Sequence, residues 1–281
     1  MTKPVYTEGL NPEQQEAVLH TDGPLLVLAG AGSGKTRVIT HRIVHLVHQG
    51  IAPQNILAVT FTNKAAKEMR ERVITLLQKY PPSERALLDT TPTVSTFHAL
   101  GVRILREFHS ALNLRKQFVI YDRNDSVRAI KRALEKNDYN PKEFEPKKIL
   151  NTISRKKGDA VSQSEFSEQT KSFREEVIAQ TWQTYEDLLH EDQALDFDDL
   201  LSKTLHLLQT HPAIRKTLQD RFRYIHIDEY QDTNAVQFKI AKLIAEHHKN
   251  ICAVGDIDQN IYSWRGADIQ NVLQFETHFK N

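Results

Sequence analysis

Apolar residues fall along this chain in short unbroken runs that alternate with stretches of helical spacing. "PLLVLAG" (24–30), "NILAVTF" (55–61) and "TVSTF" (93–97) are too short for helices, and the strand signal predicts three buried strands. Between the first two, "TRVITHRIVHLVHQG" (36–50) spaces Val38, Ile39, Arg42, Ile43, Leu46 and Val47 as a helix would. Gly50 is a plausible stop, with Pro53 shortly beyond. "NKAAKEMRERVITLLQKY" (63–80) predicts a second helix, broken by Pro81 and Pro82, and "HALGVRILREF" a third after the strand at 93–97. Strands and helices in strict alternation predict a parallel sheet covered by helices on both faces.

The alternation stops near residue 109. From there to about residue 220 the pattern is mostly helical, through "DSVRAIKRALEKN", "FREEVIAQTWQTYEDLLHE" and "FDDLLSKTLHLLQTH". Strands return at "YIHID" (224–228) and "ICAVG" (251–255), with a helix near "NAVQFKIAKLIAEHH" between them. The helical stretch is several times longer than the ~30 residues of a strand-to-strand crossover unit. The expectation is an α/β domain formed by residues 1–108 and 205–281, interrupted by a mostly helical inserted subdomain at 109–204.

Composition adds little to this picture. The chain has 281 residues, is 40% hydrophobic and 26% charged, and carries a formal net charge of +1. These values are ordinary for a globular protein and do not by themselves suggest nucleic acid. The single cysteine, Cys252, excludes an internal disulfide and fits a cytoplasmic protein. No apolar run approaches the ~18 residues of a membrane span, and no signal peptide is evident, so no membrane partner is expected. Charge is unevenly placed: residues 115–157 hold 13 Lys/Arg against 6 Asp/Glu, and residues 158–200 hold 2 against 12. The basic block reads either as a phosphate-facing patch or as one of two oppositely charged, solvated helical surfaces.

The strongest chemical signal is "LVLAGAGSGKTR", where a strand ends, a glycine-rich turn follows and Lys35-Thr36 opens a helix. Backbone amides around Gly30, Ala31, Gly32, Ser33 and Gly34 can surround phosphate oxygens. Lys35 supplies a cation for the β and γ phosphates, Thr36 a hydroxyl for Mg2+, and the helix N-terminus a favourable dipole. The usual pattern opens on glycine where this chain has Ala29. "YIHIDEYQD" supplies the partner motif: Asp228 as a second Mg2+ holder and Glu229 as general base for the attacking water. Together the two motifs predict a site for ATP and Mg2+. His41, His45 and His48 share one helical face, yet they lack the glutamate and cysteine partners of a zinc site, so a partly buried helix surface explains them better. Tyr230 reads as either core or a wall of the site, and Phe61 as either core at a strand end or a ligand contact.

In order, "LNPEQQEAV" (10–18), "AGAGSGKTR", "VTFTNKAAKEM" (59–69), "STFHALGVRILR" (95–106), "LDFDDLL" (195–201), "DEYQDTN" (228–234) and "VGDIDQNIYSWRGAD" resemble the motif series of the UvrD/Rep/PcrA-type superfamily 1 DNA helicases. The series runs the length of the chain. The resemblance implies a RecA-like P-loop NTPase fold carrying a helical insertion. It implies that Gln14 hydrogen-bonds adenine, that Arg37 packs near the base, and that Gln259 contacts the γ-phosphate or the attacking water. It further implies that Phe61, Thr62, His98, Tyr262 and Trp264 line a single-stranded DNA track, with Arg265 linking track to nucleotide. Aromatic faces stack on any base, which suits a motor that does not read sequence.

By the same resemblance, the whole enzyme is a 3′→5′ translocase and helicase that acts on single-stranded DNA and its junctions with duplex. Repair proteins are its expected partners. A second RecA-like motor domain, bearing the arginines that complete the site, is expected beyond residue 281, so the chain alone is expected to be nearly inactive. Two alternatives stay open at this point. One is the corresponding part of an AddA/RecB-type helicase–nuclease. The other is a nucleotide-dependent binding module without motor activity, in which Glu229→Gln would change nothing.

Overall fold

The computed structural model describes residues 5–79, 90–259 and 270–279. The chain divides into two compact units. One comprises Met1–Ala99, Pro212–Thr233 and Phe238–Asn281, and the other Leu100–His211 and Asn234–Gln237.

The first unit is built on five strands: β1 (Leu25–Leu28), β2 (Ile56–Thr60), β3 (Thr93–Thr96), β6 (Tyr224–Ile227) and β7 (Ile251–Gly255). They form one parallel sheet in the order β1-β7-β6-β2-β3. Every residue of the central strands β2, β6 and β7 is buried, which is why they read as unbroken apolar runs. Helices α1 (Pro12–Leu19), α2 (Lys35–His48) and α3 (Asn63–Leu77) follow in the first half of the chain, and α10 (Pro212–Arg221), α11 (Ala235–Ala245), α12 (Gln270–Leu273) and α13 (Phe275–His278) in the second. All but a few α2 side chains are buried, in a core that also takes in Tyr6, Val18, Met69, Val73 and Val254. Even Arg42 is 1% exposed there. Its guanidinium donates to the carbonyls of Ala17 and Thr21 at 3.0 Å each, satisfying orphan oxygens at the end of α1.

The histidines on α2 belong to this packing. His45 Nδ1 meets the Tyr6 hydroxyl at 2.7 Å, His41 Nδ1 hydrogen-bonds the Tyr6 carbonyl, and burial lowers the pKa of both rings. Tyr230 is core: it is fully buried, edge-on to Phe275 with ring centroids 5.8 Å apart.

The second unit packs α5 (Arg123–Lys136), α6 (Pro146–Gly158), α7 (Gln163–Glu168) and α8 (Phe173–Glu191) around Ile130, Leu134, Ile153, Phe166, Trp182 and Tyr185. Helix α4 (Phe97–Glu107) leads into it and α9 (Asp199–Thr210) leads out. A two-residue parallel pair, β4 (Val119–Ile120) with β5 (Ala194–Leu195), interrupts the helical pattern. The opposite charge runs partly face each other here: Arg132 meets Asp192 at 3.4 Å and Lys136 meets Glu191 at 3.6 Å. Both pairs join α5 to α8 at the surface.

Beneath them lies a buried network. Lys157 Nζ sits 2.8 Å from Glu186, 2.9 Å from Asp196 and 2.7 Å from Asp199. The Tyr185 hydroxyl donates to Asp196 at 3.0 Å. The network pins the "LDFDDLL" turn: Asp196 N donates to the Asp199 carboxylate, and Asp199 N donates to that of Asp196. Among the described residues no helix is long and apolar enough to cross a membrane.

Candidate nucleotide site

In an open parallel sheet, ligands gather where strands end at their carboxyl edge. Here β7 lies between β1 and β6, so three loops meet: residues 29–34 after β1, 228–232 after β6 and 256–259 after β7. Ala29 N donates to the Gly255 carbonyl at 3.0 Å, which carries the β1–β7 ladder into the first loop.

The phosphate-loop residues occupy this edge. Gly34 caps α2 with φ +86°, and a Cβ there would lie 2.9 Å from Gln14 Nε2. Glycine therefore satisfies both the left-handed backbone and the close approach. Gln14 itself completes the capping box of α1, accepting from Asn11 N at 3.0 Å, and its Nε2 donates to the Ser33 carbonyl at 2.7 Å. The amide thus fastens α1 to the loop. Gly30, Ala31, Gly32 and Ser33 are exposed on the turn, as is Arg37 in the first turn of α2.

Lys35 is buried and donates to Asp256 at 3.1 Å, Ala29 O at 3.2 Å and Gly30 O at 3.3 Å. Thr36 Oγ1 donates to Asp228 Oδ2 at 3.2 Å. Asp228 directly follows β6, with its backbone N donating to the Val59 carbonyl at 2.9 Å. Burial, then the neighbouring Glu229 carboxylate, pushes its pKa up to about 6, against the relief given by Thr36. Two oxygen donors, one a carboxylate, fit Mg2+, which takes few protein ligands and keeps several waters.

Glu229 adopts a left-handed backbone at φ +51°, ψ +47°, unusual for a non-glycine residue and a form of strain found at functional positions. Its carboxylate accepts from Gln231 Nε2 at 2.8 Å, and the other end of that amide, Oε1, accepts from Asp256 N at 2.9 Å. Gln231 is 1% exposed, and a Cβ on Gly255 would lie 2.7 Å from its Oε1. Gln259 is half-buried, with its backbone N donating to the Asp256 carbonyl at 3.2 Å.

Asp256 and Gln231 are the residues that sequence reasoning passed over. The available signals were a Gly-Asp pair closing the strand "ICAVG" and a glutamine inside "DEYQD". Only the adjacency of β6 and β7 brings them together.

The residues expected at DNA lie on the same edge of the sheet but over its other half. Phe61 and Thr62 follow β2, and His98 stands in the first turn of α4 after β3. Thr62 caps α3, accepting from Ala65 N at 3.1 Å, and Phe61 and His98 are half-buried. Tyr262, Trp264 and Arg265 lie outside the described residues.

Residues 10–280 match the UvrD/REP helicase N-terminal domain family. The chain belongs to that family. It is also 47% identical over 274 residues to the ATP-dependent DNA helicase PcrA of Bacillus subtilis (strain 168), covering 97% of this chain and 36% of that protein. The PcrA of Leuconostoc citreum is 44% identical over 282 residues, 100% of this chain and 37% of the relative. That of Staphylococcus aureus (strain Mu50) is 43% identical over 271 residues, 96% and 36%. The chain therefore spans little more than a third of the length of these relatives. Membership of the UvrD/REP family agrees with the α/β fold, its parallel sheet and its P-loop at the carboxyl edge.

Proposed function

We propose that this chain is the ATP-binding motor portion of a cytoplasmic DNA helicase that moves 3′→5′ on single-stranded DNA. One observation carries the proposal. The phosphate-loop residues Lys35 and Thr36 reach directly to carboxylates from two other strand ends, Asp256 and Asp228. A glycine turn with an incidental lysine has no reason to build both contacts.

In this reading the loop amides and Lys35 hold the β and γ phosphates, and Gln14 and Arg37 flank the base. Thr36 and Asp228 hold Mg2+, which neutralises phosphate charge and orients the leaving group. Glu229, oriented by Gln231, takes the proton from the attacking water, and Gln259 senses the γ-phosphate. Phe61, Thr62 and His98, with Tyr262, Trp264 and Arg265, grip single-stranded DNA and its duplex junctions during repair. The PcrA names of the relatives favour this reading over the helicase–nuclease.

An arginine finger is worth ~10³–10⁵ in rate. We place that group outside these 281 residues, so that the chain by itself binds Mg-nucleotide and turns it over slowly. The test is binding of a fluorescent ATP analogue with Mg2+ and with EDTA, alongside steady-state hydrolysis with and without single-stranded DNA. Mg-dependent binding abolished by Lys35→Ala, with near-zero turnover, supports the proposal. Binding indifferent to Lys35→Ala overturns the site, and strong DNA-stimulated turnover overturns the need for an outside arginine.

A further inference from the structure

At the amino edge of the sheet, opposite the nucleotide site, one carboxylate and two imidazoles converge. Asp220 lies in the last turn of α10, and His247 and His248 lie in the turn after α11. One ligand atom from each of the three lies within 4.8 Å of the other two. The topology produces this meeting. Asp220 is a few residues before β6 and His248 a few residues before β7, and these strands are parallel neighbours with Ile225 opposite Ile251. Gln219 Nε2 donates to the Leu243 carbonyl at 2.7 Å, tying the end of α10 to α11 beside the cluster.

The cluster differs from ordinary surface pairing in two respects. His248 Nε2 is buried and has no hydrogen-bond partner among the described residues, which is costly for a ring nitrogen. The two rings pack edge to face with centroids 4.5 Å apart, and one ligand atom of each lies within 4.8 Å of the other and of Asp220. The cations nearby are Arg223 and Lys216. Lys216 Nζ lies 2.9 and 3.0 Å from the two Asp220 oxygens, but it is an exposed i,i+4 pair on one helix, of a kind that contributes little and yields readily.

We propose that Asp220, His247 and His248 form a binding site for a divalent transition cation, zinc being the fitting ion. Imidazole nitrogen with one carboxylate oxygen suits zinc, copper and nickel, whereas Mg2+ and Ca2+ prefer all-oxygen sites. Three protein ligands leave a fourth position for solvent, a standard zinc arrangement. Tetrahedral zinc needs its ligand atoms about 3.4 Å apart. Rotation of exposed side chains closes the remaining distance. Bound there, the cation joins the two connections that enter β6 and β7 and stabilises the folded unit by mass action.

The test uses the full 281-residue chain, untagged and stripped with EDTA, in buffer with excess Mg2+. Zinc is titrated by calorimetry, and melting is followed with and without zinc. One zinc per chain and a zinc-dependent rise in melting temperature are expected. H247A, H248A and D220N should each weaken binding at least about tenfold, since even losing a group that only hydrogen-bonds a ligand reaches that size. H20A, elsewhere on the surface, should change nothing. Melting in EDTA verifies that each variant folds. Zinc binding unchanged in the H247A/H248A double variant, or displaced by excess Mg2+, overturns the proposal.

Discussion

Replacing Asp228 by asparagine should stabilise the nucleotide-free chain at neutral pH. Burial and the adjacent Glu229 raise the Asp228 pKa from the usual 3.8 to about 6. At about 1.4 kcal/mol per pH unit, holding the ionised carboxylate costs the folded state about 3 kcal/mol at pH 7. The sign follows from proton counting. Between pH 3.8 and about 6 the folded chain binds the proton that the unfolded chain has lost, so stability falls as pH rises through that window. Above it the full cost is present. Asparagine removes the titration and keeps an oxygen to accept from Glu229 N, now at 3.1 Å, while its amide nitrogen can donate to the Thr36 hydroxyl, which now donates to Oδ2 at 3.2 Å.

The assay is urea unfolding of wild type and Asp228→Asn at pH 4.5, 6 and 7.5, read by hydrogen-exchange protection of β6. Reading β6 isolates the sheet unit, because two compact units need not unfold together. The variant should be more stable by up to about 3 kcal/mol at pH 7.5 and by only about 1 kcal/mol at pH 4.5, where about a third of the cost is present. A stability difference that does not change with pH, or a variant less stable at pH 7.5, refutes the reasoning. Mg-dependent nucleotide binding should weaken in the same variant, so that stability and function move in opposite directions.

Lys35 and Asp256 should couple by about 2–3 kcal/mol in a Lys35→Met, Asp256→Asn double-mutant cycle of unfolding free energy, because each single change strands a buried charge; coupling under about 0.5 kcal/mol would show the pair to be independent. Lys157→Met should destabilise the helical unit by about 3–5 kcal/mol, since it leaves Asp196, Asp199 and Glu186 together without their central cation, and urea unfolding read at α8 measures it. Gly101→Ala should also destabilise that unit, by about 1–3 kcal/mol, because the new Cβ would collide with the Leu200 carbonyl oxygen; the ~1 kcal/mol that alanine gains within a helix is smaller than the clash, and thermal melting decides the sign.

The central strands were legible because they are buried on both faces. "ILAVT" and "ICAVG" carry no alternation to confuse with a half-exposed strand. His226 within "YIHID" did not break that pattern, and the structure buries it as a neutral ring whose pKa falls to about 3. The phosphate loop was legible because its work is done by backbone, which forces glycine at fixed places. The pairing of Val119–Ile120 with Ala194–Leu195 was not, since two-residue strands have no period and their partners are distant in sequence. The opposing charge runs were visible, but their partial pairing depends on α5 lying against α8. Asp256 and Gln231 were hidden for a related reason: a Gly-Asp strand end gains its partner, Lys35, only from strand order.

The charges of the site explain why it can stand folded before any nucleotide arrives. Lys35 and Asp256 cancel one another in the interior, and the lysine's other donors are taken by Ala29 and Gly30 carbonyls. Asp228 is the poorly compensated member: Thr36 offers it only a neutral hydroxyl, Glu229 adds a second negative charge, and Lys35, paired with Asp256, relieves it least. On the proposed function, a divalent cation beside Thr36 and Asp228 corrects that imbalance, and a triphosphate gives Lys35 a second anion to choose. Asp256 would then face the loss of its only ion-pair partner among the described residues. Its backbone N is held by Gln231, and Gln231 holds Glu229. Glu229, the proposed general base, is thus connected to Lys35, the proposed phosphate-binding lysine, through the buried Gln231 and Asp256. A change in charge at the phosphates has a short, fully hydrogen-bonded path to the group that must respond to it.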